Sequence, residues 1–151
     1  MKQKSNLTLQ KFLPYRLSVL TNSISALIAT SYSESFGIRI PEWRAIAVLG
    51  ESPGLTSSQI VQRTAMDKVT VSRTVRNLAN KKLISKSASA TDRRVSHLHL
   101  TASGKNVYEQ IVPMALEFER QFLQVLDVRE QSVLDKLIDK LQKGVDELRS
   151  S

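Results

Sequence analysis

Apolar residues recur at steps of three and four over long stretches at both ends of this chain. At the amino-terminal end they are Leu13, Leu17, Leu20, Ile24, Leu27, Ile28 and Tyr32, the stripe of one amphipathic helix. Pro14 suits its first turn, where the missing N–H would have no partner, and Phe36-Gly37 ends it. At the other end Thr101 precedes Val107, Ile111, Met114, Ala115, Phe118, Phe122 and Val125. Pro113 is predicted to bend that helix by removing one backbone bond. Asp127 and Glu130 have capping-box spacing, and Leu134, Leu137, Ile138, Leu141, Val145 and Leu148 then form a further stripe. In a chain of 151 residues, helices this long cannot bury their stripes against the short segment between them. The two ends are therefore expected to pack together and against a second copy of the chain.

The patterns between the arms are shorter. Pro41 opens a helix with Trp43, Ile46, Ala47 and Leu49 as apolar positions, stopped by Gly50 to Gly54. Thr56-Ser57-Ser58-Gln59 is a capping box that starts the next, with Ile60 and Val61 apolar. Ala65-Met66 makes a turn, and Asp67 caps a helix running from Lys68 to about Lys81. Val71, Val75 and Leu78 mark its inward face; Lys68, Thr70, Ser72, Arg73 and Arg76 face outward. Leu83 to Ala88 and Val95 to Leu100 read as two strands, with Ile84 facing Leu98 and Leu100, and Lys86, His97 and His99 on the other side. The loop between them ends in Arg93 and Arg94, with Asp92 as the local acceptor that orients Arg94. The expected fold is mainly α with a small β-hairpin wing: a winged helix-turn-helix with long N- and C-terminal dimerisation helices. Residues 1–36 form the first dimerisation helix, 37–104 the winged helix-turn-helix and 105–151 the last helices, within one continuous domain.

Charge gives the centre its chemistry. Of the net +8, most lies in residues 56–104, where Arg63, Lys68, Arg73, Arg76, Lys81, Lys82, Lys86, Arg93 and Arg94 face only Asp67 and Asp92. A basic block inside a folded chain, with less basic or acidic flanks, is the footprint of a polyanion-binding module. Short hydroxyls beside arginines on one helix face suit base edges, since Arg takes guanine bidentately through O6 and N7. Candidate DNA contacts are Ser57, Ser58, Lys68, Thr70, Ser72, Arg73 and Arg76, with Arg93 and Arg94 reaching a neighbouring minor groove. A sequence-neutral architectural binder would share the basic centre but would not need that hydroxyl-bearing face.

Catalysis finds little support. There is no Cys, hence no disulfide, thiolate metal site or Cys nucleophile, and the five glycines are too scattered for a P-loop or a dinucleotide fingerprint. No catalytic residue and no cofactor is expected. His97 and His99 would need a carboxylate as third ligand, so no metal is expected either. The stretch Leu17 to Ala29 is too short and too polar to span a bilayer, and no clean signal sequence is read. A cytoplasmic protein with no membrane partner is the expectation.

The run from Gln59 to Arg73, then Leu78, Leu83-Ile84, the Asp92-Arg93-Arg94 wing and Leu98-His-Leu-Thr101-Ala-Ser-Gly104 resembles the MarR family of winged helix-turn-helix regulators. The likeness covers residues of about 20–148 in order. The D-x-R wing followed by L-x-L-T-x-x-G is its most specific part. Two family glycines are replaced, by Ala65 in the turn and by Lys82, which would then adopt a left-handed conformation at a cost of about 1 kcal/mol. The resemblance implies a homodimer on a palindromic DNA operator, and a repressor released by a small aromatic or phenolic acid. A ligand-independent or architectural DNA-binding protein is the alternative. Asn22-Ser23-Ile24-Ser25 and Glu42-Trp43-Arg44 resemble a branch in which a Ser and an Arg hold a ligand carboxylate, which here would be Ser25 and Arg44. Trp43 would line that cleft, although a helix-spaced aromatic is more often core, and an Arg is more often an ion-pair partner.

Overall fold

The computed structural model describes residues 6–151. A 3-10 turn at Leu9–Lys11 leads into α1 (Leu13–Phe36), followed by α2 (Ile40–Glu51), α3 (Ser57–Arg63), α4 (Lys68–Asn80), β1 (Ile84–Ala88), β2 (Ser96–Leu100), α5 (Ala102–Leu123) and α6 (Val128–Ser150). The expected class is what is seen: helices with one antiparallel hairpin. Two compact units divide the chain after Ala115.

Local chemistry accounts for most boundaries. Pro14 and Pro41 sit in the first turns of α1 and α2, and Gly37 ends α1 at φ 62°, where a Cβ would be disfavoured. Thr56 Oγ1 accepts from Gln59 N at 3.2 Å while Gln59 Oε1 accepts from Thr56 N at 2.9 Å, the reciprocal cap read from the sequence. Helix α2 ends at Glu51, within the expected Gly50 to Gly54 stop, and a Cβ on Gly50 would collide with the Tyr108 ring of α5. Helix α5 runs unbroken through Pro113.

The core of the first unit gathers one layer from each element. Tyr32, Ile38, Ile46, Leu49, Leu55, Ile60, Val71, Leu78, Leu98 and Ile111 are all buried in one cluster. The stripe on α1 is not uniform. Ile28 and Tyr32 turn to this core, whereas Leu13, Leu17, Leu20 and Leu27 are exposed.

The hairpin register is Ile84↔Leu100, Lys86↔Leu98 and Ala88↔Ser96, with Ser85↔His99 and Ser87↔His97 on the alternate face. Lys86 thus shares the face of Ile84, Leu98 and Leu100, not that of the histidines. Strand period two requires this, because 84 and 86 differ by two and paired residues project to the same side. Leu55 adds a one-residue bridge to Leu98, its carbonyl accepting from Leu98 N at 2.8 Å.

Lys82 has φ 59°, the left-handed conformation expected where a family glycine is missing. Thr101 holds this turn in place. The Lys82 carbonyl accepts from Thr101 Oγ1 at 2.7 Å, and Leu83 O accepts from Thr101 N at 3.0 Å. Thr101 Oγ1 also accepts from Gly104 N at 3.1 Å. A Cβ on Gly104 would strike the Leu83 carbonyl, so the backbones of α5 and the β1 entry meet through a residue with no side chain.

In the second unit, Asp127 Oδ1 accepts from Glu130 N at 2.9 Å and Glu130 Oε2 accepts from Asp127 N at 2.8 Å, the capping box expected there. Gln131 Nε2 donates to the carbonyls of Leu123 and Leu126, which closes the turn. Leu134, Leu137, Ile138, Leu141, Val145 and Leu148 form an exposed stripe along α6. Among the described residues no helix is long and apolar enough to cross a membrane.

Candidate functional site

Helix α4 is divided into two faces by its own periodicity. Val71, Thr74, Val75 and Leu78 are buried; Lys68, Ser72, Arg73 and Arg76 are exposed on the opposite side. Asp67 fixes where the helix starts. Its Oδ1 accepts from Thr70 N at 2.8 Å and its Oδ2 from Thr70 Oγ1 at 2.8 Å. The Thr70 backbone N–H, and after it the hydroxyl, hold the Asp67 carboxyl below its ordinary pKa. Thr70 therefore differs from the other candidates: its hydroxyl proton is committed to the cap, leaving lone pairs to accept with.

A groove of about 540 Å³ runs between α3, α4 and β1. Ser57, Ser58, Gln62, Lys68, Ser72, Arg76 and Lys86 line it over a floor of Val61, Val71 and Val75. The structure thus brings candidates from α3 and α4 into one polar, cationic surface. Gln62 and Lys86 are additions to the expected set. Strict alternation from Ile84 points to Lys86, whereas Gln62 leaves no signal beyond its place on α3. Val69 is a further addition: it is exposed beside Lys68, Ser72, Arg73 and Arg76.

The wing is built for a fixed loop with free arginines. Asp92 Oδ1 accepts from the backbone N of Arg94 at 2.9 Å, and Val95 N donates to Asp92 O at 3.1 Å. Asp92 thereby holds the Arg94 backbone by a turn hydrogen bond. Arg93 and Arg94 are both exposed. On the other face of the hairpin, His97 Nδ1 lies 2.9 Å from Gly54 O, and His99 Nε2 lies 3.3 Å from Ser87 Oγ. A carbonyl can only accept, so His97 donates from Nδ1 and its ring ties the wing to the α2–α3 loop. Among the described residues no three His, Asp or Glu side chains are grouped as a metal site needs.

The candidate effector residues also meet. Arg44 Nη2 donates to Ser25 Oγ at 3.3 Å across α2 and α1, and both side chains are half-buried. Among the described residues Arg44 has no carboxylate within ion-pair distance. Trp43 packs between Tyr32 at 5.8 Å and Tyr108 at 6.3 Å, measured between ring centroids. Burial pushes the Tyr32 phenol up to about 12, against a smaller opposing effect of the Arg44 charge. The neutral phenol, a cation and a hydroxyl thus stand around one aromatic cluster.

The chain resembles known proteins in sequence and in fold. A MarR family model matches residues 36–95, the span from the end of α1 to the wing. A MarR/EmrR family transcriptional regulator from Acinetobacter sp. ADP1 is 31% identical, with a TM-score of 0.83 over 93% of this chain and 99% of that one. The HTH-type transcriptional repressor Mb2911 of Mycobacterium bovis is 23% identical over 131 residues, 86% of this chain and 91% of that protein. BpsR of Bordetella bronchiseptica, whose DNA binding is regulated by 6-hydroxynicotinic acid, shares the fold at 22% identity and a TM-score of 0.77, over 86% of this chain and 98% of that one.

Proposed function

Because the chain belongs to the MarR family of transcriptional regulators, we propose that it is a repressor which reads a palindromic operator through α4. The observation that carries this reading is the exposed set Lys68, Ser72, Arg73 and Arg76 on a helix whose opposite face is buried. Such a helix enters the major groove with its N-terminal residues on base edges, while Ser57, Ser58 and Lys86 suit phosphates and the Thr70 hydroxyl can accept from a base amino group. Arg93 and Arg94 would enter the adjacent minor groove.

A homodimer supplies the second recognition helix. The exposed stripes Leu13 to Leu27 on α1 and Leu134 to Leu148 on α6 are apolar surface that a partner copy would cover. Paired recognition helices place half-sites roughly 10 bp apart. Selection of sites from random DNA, with light scattering on the free protein, tests both parts. A palindrome of that spacing and a dimer are expected; a stable monomer at micromolar concentration would contradict the reading.

The effector in this reading is a small aromatic carboxylate. Arg44 offers a guanidinium without an ionic partner among the described residues, Ser25 a hydroxyl beside it, and Trp43 an aromatic wall. Ligand there shifts the protein only by its differential affinity for the DNA-competent and released states. A typical coupling of about 1–3 kcal/mol weakens operator binding about 5–150-fold. Isothermal titration with benzoate, salicylate and hydroxycinnamates, on the parent and Arg44→Met, is the test. Equal affinity in both proteins would remove Arg44 as the clamp.

A further inference from the structure

Val69 stands where a side chain of its type has no structural task. It is 67% exposed, while Val71 and Val75 of the same helix are buried. At about 100° per residue Val69 lies half a turn around from Leu78, the deepest residue of the inward face. It is therefore the centre of the outward stripe, with Ser72, Arg73 and Arg76 at i+3, i+4 and i+7. Ser72, Arg73 and Lys68 surround it at the surface. Asp67 caps the helix two residues before it, so Val69 also belongs to the turn that meets base edges first.

An apolar branched side chain in that place has one chemical counterpart in the major groove. The C5-methyl of thymine is the only apolar group that the four bases present there, and it tells T·A from C·G where hydrogen bonds are made elsewhere. We infer that Val69 reads a thymine methyl in each half-site, next to the base taken by Arg73. This rests on the operator reading of α4. Packing of one methyl against the valine, at about 0.8 kcal/mol per buried carbon, corresponds to roughly fourfold in affinity per half-site.

The test replaces each thymine of the selected operator by deoxyuridine, which removes the methyl and leaves every hydrogen-bonding group. For the parent, one symmetric position is expected to lose about fourfold per half-site. Val69→Ala should lose that sensitivity, and Val69→Thr, which keeps a γ-methyl, should retain it. An operator bound by the parent with a flat deoxyuridine scan, or the same scan in Val69→Ala, would overturn the assignment while leaving the operator reading intact. Failure to select any specific site would overturn both.

Discussion

The Lys81 ammonium, one residue past the end of α4, lies 2.7 Å from Glu42 Oε2 on α2. The same nitrogen donates to Gly37 O at 2.6 Å, and the same carboxylate oxygen accepts from Arg39 N at 2.9 Å. The Glu42 side chain is 3% exposed and that of Lys81 37%. One ion pair therefore joins the end of α4 to the start of the helix that carries Arg44, two residues beyond Glu42. A displacement of α2 has a direct mechanical path to α4.

Lys81→Met is expected to destabilise the fold by about 1–3 kcal/mol, because it leaves a buried carboxylate with one donor fewer. The cost stays below that of a fully buried pair, since water reaches the lysine. Urea unfolding of parent and variant measures it. An unchanged midpoint would mean that Glu42 is satisfied without Lys81.

Gly104→Ala and Lys82→Gly should move stability in opposite directions. A methyl on Gly104 meets the Leu83 carbonyl, an overpacking against backbone that costs about 1–3 kcal/mol. Glycine at 82 relieves the left-handed strain at φ 59°, partly offset by a freer unfolded chain, for a gain of a few tenths to about 1 kcal/mol. Thermal melts should rank the three proteins Lys82→Gly, parent, Gly104→Ala. Any other order would contradict the strain and close contact assigned to this junction.

Tyr32 makes the protein sensitive to alkali. Its folded pKa is raised above the unfolded value near 10 to about 12, so its contribution is fully present below pH 10 and is lost as pH rises toward 12. The full shift corresponds to roughly 3 kcal/mol, most of it lost by pH 12. Unfolding free energy measured across that window should fall more steeply for the parent than for Tyr32→Phe. Parallel curves would show that burial of the phenol does not govern the alkaline limb.

The features legible in the sequence are local. Thr56 with Gln59, Asp67 with Thr70, and Asp127 with Glu130 are contacts three residues apart, so spacing alone exposes them. The left-handed Lys82 is legible only through family likeness, since the resemblance puts a glycine at that position. Contacts distant in sequence leave no such trace. Glu42 and Lys81 are 39 residues apart, and Leu55 meets Leu98 across the loop and the hairpin. Buried Ile38 lies between helices, outside any period, whereas Thr74 stands at i+3 from Val71 on the inward face and is passed over only because it is polar. The face of Lys86 follows from alternation counted from Ile84, and its grouping with the histidines does not survive the register. Ser25 and Arg44 come from family likeness, and their hydrogen bond is a matter of packing that composition does not carry.

Helix α4 as the reader of base sequence is the central claim, and one pair of affinities addresses it. Parent and Arg73→Ala are titrated with the selected operator and with random duplex at about 0.15 M salt, where screening is physiological. Arg73→Ala is expected to lose on the order of 1–3 kcal/mol on the operator and far less on random DNA, so the ratio between the two collapses. An unchanged ratio, with both duplexes bound as by the parent or weakened alike, would contradict the assignment of this face to base recognition.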